Sequence, residues 1–152
     1  SGCPRRASSA ARAGPCKNNQ FVPNTEIIML EKGLTAVSRT TVTPQNTAAA
    51  MGSGDMPVFA TPAMVALMEN AAMLAVAGAL PEGATTVGAE MNVTHIKPSG
   101  LGTEVIASAV VTEVDERKIT FTVGARDAEG LIGEGTHVRF VVDRARFLAK
   151  VR

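Results

Sequence analysis

From Gly33 to Thr43 the chain reads GLTAVSRTTVT, with Leu34, Ala36 and Ser38 on one parity and Thr35, Val37 and Arg39 on the other. The alternation and the Thr and Val content predict a strand. A connection containing Gly and Met, Thr47 to Val58, leads to Thr61-Pro62, where Thr is a suitable N-cap and Pro is tolerated at the first helical position. The stretch from Pro62 to Leu80 (PAMVALMENAAMLAVAGAL) predicts a helix that stops before Pro81 and Gly83. Beyond it the pattern returns to period two. Ala84 to Lys97 ends at the turn cluster Pro98-Ser99-Gly100, and Thr103 to Val114 alternates through Val105, Ala107, Ala109 and Val111. Lys118 to Asp127 and Leu131 to Asp143 complete the strands, and Arg144 to Arg152 reads as a short basic tail.

One strand, a long helix, then four strands on short turns give an α+β domain. Hairpin-length turns favour antiparallel pairing, and the single helix is the only cover for the apolar face of the sheet. The expected architecture is one long central helix wrapped by a five-stranded antiparallel sheet.

Within that helix Glu69 and Asn70 are the only strongly polar residues. A helix apolar on all sides is buried or in lipid, and the central Glu-Asn pair with the heavy Ala content argues for burial, within a sheet or between subunits. Met64, Met68 and Met73 read as core filling. Glu69 has two readings: it faces a solvent gap, or it stands partly dehydrated in a site, where it would suit base chemistry.

Composition narrows the chemistry. The chain has 152 residues, 45% hydrophobic and 19% charged, which suits one globular domain. A net charge of +1 gives no basic footprint for nucleic acid, and with no Trp or Tyr and five scattered Phe there is no stacking platform for bases. Cys3 and Cys16 lie in the N-terminal segment, and His95 and His137 are too far apart for a zinc motif, so no metal is expected. No stretch is apolar enough to span a membrane. Residues 1–25, with no acidic residue before Glu26, share the Arg and Ser bias of organellar transit peptides but lack an amphipathic face. They are read as a disordered tail or an expression scar preceding a domain over 26–152, and the protein is expected in the cytoplasm, with organellar import as the alternative.

Three segments carry a further signal: VFATPAMVALMENAA, GAEMNVTHIKPSGLGTEV and GLIGEGTHVRF. Together they resemble the hot-dog-fold thioesterase superfamily, and within it the fluoroacetyl-CoA thioesterase branch, over roughly 33–152. The resemblance implies a hot-dog fold, hydrolysis of an acyl-CoA thioester with a small acyl group, no cofactor beyond the CoA of the substrate, and at least a homodimer. It places Thr61, Glu69 and His95 on the family's catalytic positions, and Gly88 and Arg139 on further positions of its site.

The residues admit this chemistry without requiring it. Thioester hydrolysis needs an attacking water or carboxylate, a proton for the leaving thiolate, and donors for the oxyanion. Glu69 suits base or nucleophile, His95 proton management or carbonyl polarisation, and the backbone at Gly88 an oxyanion donor. On its own His95 also reads as a structural histidine, and Thr61 as a helix cap. His137 and Arg139 share a strand face and could meet CoA, or Arg139 could form a surface ion pair. The step from Thr61 to Glu69 spans about 12 Å along a straight helix, so the two belong to one site only if the helix starts later or two subunits combine. The sequence departs from the branch at MGSGDMPVF: Gly52 and Asp55 stand where it carries lid phenylalanines, and no aromatic precedes Phe59 in that stretch. Two other functions fit the pattern, a non-catalytic acyl-CoA-binding hot-dog domain and a hot-dog enoyl-CoA hydratase or dehydratase.

Overall fold

The computed structural model describes residues 29–151, so the expectation for residues 1–25 lies outside the described residues. Five strands form one antiparallel sheet: β1 (Thr35–Thr41), β2 (Ala84–His95), β3 (Glu104–Asp115), β4 (Lys118–Asp127) and β5 (Gly130–Asp143). Their order is β1-β3-β4-β5-β2, which sends the chain from one edge of the sheet to the other through the helical segment. That segment holds a short helix α1 (Ala48–Met51) and the long α2 (Thr61–Ala77). The predicted strands are present with their ends shifted by a residue or two.

Alternation builds the core. Val105, Ala107, Ala109 and Val111 of β3, and Ile119, Phe121, Val123 and Ala125 of β4, are all buried. They meet Met64, Met68, Ala71, Ala72, Ala75 and Val76 from α2. The methionines are core filling at this face, where their flexible thioethers fill the space left by alanines. Gly133 and Gly135 keep β5 low enough to pack. A Cβ at Gly133 would crowd Met64 Sδ at 2.7 Å, and one at Gly135 would collide with the Asn92 carbonyl of β2.

Three expectations are corrected. Thr61 is not the cap of α2: Ala60 is, with no side-chain hydrogen bond, and Thr61 is the first helical residue with its hydroxyl turned to β2. The helix ends at Ala77, because Gly78 caps it before Leu80 is reached. Arg144 to Ala149 is a helix, α3, since Asp143 accepts from the Arg146 N–H and caps it. Burial of α2, expected within a sheet or between subunits, is incomplete within one chain. Ala66 and Ala77 are exposed, and Leu74 is 46% exposed. No helix among the described residues is long and apolar enough to cross a membrane.

Candidate active site

Glu69 lies in the middle of α2 and reaches towards β2 and β5. Its side chain is 42% exposed, with Oε2 3.8 Å from Arg139 Nη1 and 4.0 Å from His137 Nε2. Both separations exceed a hydrogen bond. Charge attraction to Arg139 therefore orients the carboxylate, and it makes no side-chain hydrogen bond among the described residues. Across from it is Gly88, where a Cβ would occupy the place of Glu69 Oε2. The glycine is what lets the carboxylate lie against the strand backbone.

Behind Glu69 the two basic side chains are fixed. Arg139 and His137 are only 6% and 1% exposed. Arg139 donates from Nε to Thr86 Oγ1 at 2.8 Å, from Nη2 to the Thr86 carbonyl at 2.9 Å, and from Nη1 to His137 Nε2 at 3.2 Å. His137 donates from Nδ1 to the Glu90 carbonyl at 2.8 Å and stacks on Phe121. A nitrogen that accepts from arginine and one that donates to a carbonyl define a neutral imidazole with its proton on Nδ1. Burial, and then the Arg139 charge, hold His137 below its ordinary range, against the opposing pull of the Glu90 carbonyl and Glu69. Neutral His137 makes no ion pair with Glu69. The strand pairing shifts between Gly88 and Glu90, a bulge that leaves Ala89 without a partner on β5. The surface ion pair considered for Arg139 is therefore replaced by a buried one-sided cradle. Arg139 and His137, which the sequence offered to CoA, bond here to Thr86, Glu90 and each other.

Thr61 and His95 meet elsewhere. Thr61 Oγ1 and His95 Nδ1 share a hydrogen bond of 2.7 Å, at the start of α2 and the end of β2. His95 Nε2 is buried without a hydrogen-bond partner. Burial holds this imidazole below its ordinary range, partly opposed by the backbone at Lys97. The pair lines a cavity of about 260 Å³ with Val58, Phe59 and Pro98. On the other side of Phe59 a groove of about 490 Å³ runs between β1, α1 and α2, past Met51, Ala66 and Asn70. The Glu69 cradle and the Thr61–His95 pair thus lie about two helical turns apart in one chain. No group of three or more His, Cys, Asp or Glu that could hold a metal occurs among the described residues.

Sequence reasoning missed Thr86, the Glu90 carbonyl and Phe121. The signal for Thr86 was the same-face spacing from Gly88, which became informative only once a buried arginine needed acceptors. The two histidines also set an acid limit. The unfolded chain takes up their protons near 6.5, whereas the folded one does so only at lower pH, so the unfolded state binds more protons in that window. Stability therefore falls as pH drops through 6.5 towards the folded values. Urea denaturation at a series of pH values, with His137→Gln as control, reads this directly; a flat profile between neutrality and about pH 5 contradicts it.

An antiparallel sheet curled against one long helix is the hot-dog fold. A solved hot-dog-like protein from Thermanaerovibrio acidaminovorans shares the fold at 22% identity, with a TM-score of 0.74 over 82% of this chain and 92% of that one. The family model of the fluoroacetyl-CoA-specific thioesterase matches residues 42–145, and the chain belongs to this family. It is 40% identical to the fluoroacetyl-CoA thioesterase of Streptantibioticus cattleyicolor over 62% of this chain and 68% of that protein. A solved structure of a fluoroacetyl-CoA thioesterase superposes with a TM-score of 0.76 at 33% identity, covering 81% and 96% of the two chains. A thioesterase superfamily member from Thermus thermophilus gives 0.74 at 29% identity over 80% and 90%. The chain is therefore a thioester hydrolase, and the hydratase reading falls away.

Proposed function

We propose that this protein hydrolyses the thioester of a small acyl-CoA through Glu69, with the Thr61–His95 pair of a second subunit completing the site. The reading is carried by the Glu69 carboxylate: half exposed, without a hydrogen bond among the described residues, and held against a glycine backbone by a buried arginine. Water attacks the thioester carbonyl as Glu69 takes its proton. The new C–O bond forms while charge collects on the carbonyl oxygen, for which the backbone near Gly88 is the candidate donor. The C–S bond then breaks, and the thiolate leaves as the CoA thiol by taking, through His95 and Thr61, the proton that Glu69 removed from water. CoA enters as part of the substrate, and no further cofactor is invoked.

Two features favour a homodimer. Strand β2 is a 12-residue strand at the edge of the sheet that, among the described residues, pairs only with β5, and long open edges invite pairing with another chain. The exposed apolar residues of α2, Ala66 and Leu74, need cover that one chain does not supply. A two-fold partner would also relieve the separation of the half-sites. Gly52 and Asp55 stand where the branch has lid phenylalanines, so fluoroacetyl selectivity is not part of the proposal.

Complementation tests the shared site. Glu69→Gln and His95→Ala are each expected to be inactive, and mixing them through partial unfolding and refolding should restore roughly a quarter of wild-type thiol release from acetyl-CoA. Mixed dimers then contain one intact site. No restoration, in mixtures shown to contain mixed dimers, places the whole site within one chain.

A further inference from the structure

We infer that Asp127, at the end of β4, is a positioning residue that sets the Thr61–His95 pair from outside the site. The inference rests on the proposed role of that pair. Hydrogen bonding between β2 and β5 reaches its last rung at the Ile96 N–H, which donates to the Ile132 carbonyl at 2.7 Å. Immediately beyond it the chain leaves the sheet, and Asp127 takes over. Its carboxylate, with the side chain only 4% exposed, accepts from Lys97 Nζ at 2.8 Å and from Ser99 Oγ at 3.0 Å through Oδ2. Its Oδ1 accepts from the Glu129 N–H at 2.9 Å, which fixes the carboxylate to its own turn.

These bonds act on both partners of the pair. Lys97 is two residues past His95, so the ion pair holds the strand end that carries the imidazole. Ser99 is itself buried, and its carbonyl accepts from the Phe59 N–H at 2.9 Å, two residues before Thr61. Val58 and Gly100 form a bridge beside that bond. One buried carboxylate therefore ties the end of β2 to the start of α2, where the 2.7 Å contact between Thr61 and His95 is made. A buried carboxylate is tolerated only when fully paired, and each of its partners lies on a segment that the site needs held. Lys97, with the other hydrogen bonds, holds the carboxyl at about 2, so the clamp is charged throughout the neutral range.

The test uses the full-length chain with Asp127→Ala and, for the same ion pair broken from its more exposed end, Lys97→Met. The readouts are kcat and KM for acetyl-CoA and the imidazole signals of the two histidines by NMR. In folded variants kcat is expected to fall about tenfold with KM within about twofold, the scale of a small misplacement of reacting groups. The His95 signals should move while those of His137, in the separate cradle, stay. Asp127→Asn, which keeps the acceptor oxygen without the charge, should recover part of kcat. If Asp127→Ala does not fold, Lys97→Met decides. Unmoved His95 signals with unchanged kcat in a folded variant overturn the inference. His95→Ala, assayed in parallel, isolates the underlying reading. If it retains full turnover, the pair is not part of the site, and the clamp stands or falls on the His95 signals alone.

Discussion

Glu69→Gln lowers kcat for a small acyl-CoA by about 10³-fold, within the range by which general acid–base catalysis accelerates a reaction. Glutamine keeps the size and the approach to Gly88 but cannot take a proton from water or attack as a carboxylate. The side chain is 42% exposed but is the carboxylate facing the buried Arg139, so a loss of about 1 kcal/mol in unfolding free energy is expected beside the kinetic effect. Thiol release from acetyl-CoA, followed with a chromogenic thiol reagent beside a thermal melt, measures both. Unchanged turnover would remove Glu69 from the mechanism. A parent protein that releases no thiol from any small acyl-CoA would leave an acyl-CoA-binding domain as the better account.

Gly88→Ala is the complementary experiment, because it leaves the catalytic groups chemically intact. The added methyl would collide with Glu69 Oε2 and stand 3.3 Å from His137 Cε1 and 3.5 Å from Arg139 Nη1. The carboxylate is the tip of a flexible side chain and can swing away, at a stability cost of about 1 kcal/mol. It cannot swing away and remain in place for attack. A displacement of about 1 Å can cost 100-fold in rate, and a fall of about that size in kcat is expected with the melting temperature lowered by only about 3–5 °C. Wild-type turnover in the variant would mean that the reactive position of Glu69 is not the one against β2. The contrast with Gly135 is instructive, since there a methyl would meet the carbonyl of Asn92, which belongs to the sheet itself. The same substitution would burden the fold at one glycine and the chemistry at the other.

Much of the fold was legible in the sequence because its signals are local. The alternation through Val105, Ala107, Ala109 and Val111 is visible along one strand and maps directly onto buried positions. Glu69 stood out for the same reason, as the lone charge in an apolar helix. Thr61 was misread because a threonine before Pro62 satisfies the capping rule, and only the fold could bring His95 within 2.7 Å to claim the hydroxyl. The cradle was less legible still. Thr86 and Arg139 are 53 residues apart, and their meeting depends on the register between β2 and β5, which no periodicity within either strand specifies. Arg139 looked equally at home on a surface because nothing nearby in sequence supplies its acceptors. The helix α3 was missed through attention to its charge, although Asp143 was present to cap it.

The unpaired Ala89 has a consequence for the whole strand. Side chains on a regular strand point alternately to its two faces, so positions separated by an odd number of residues face opposite ways. Gly88 and His95 are seven apart and would be on opposite faces of an unbroken β2. The extra residue resets the count: before it Thr86 is buried and Gly88 faces Glu69, and after it Met91, Val93 and His95 are the partly buried positions of an alternating run. Only with that offset can a single strand present both the backbone facing Glu69 and the imidazole bonded to Thr61 to the same helix. Ala89, which touches neither chemistry, is thus the point at which β2 is divided into two independently phased halves, one for each part of the site.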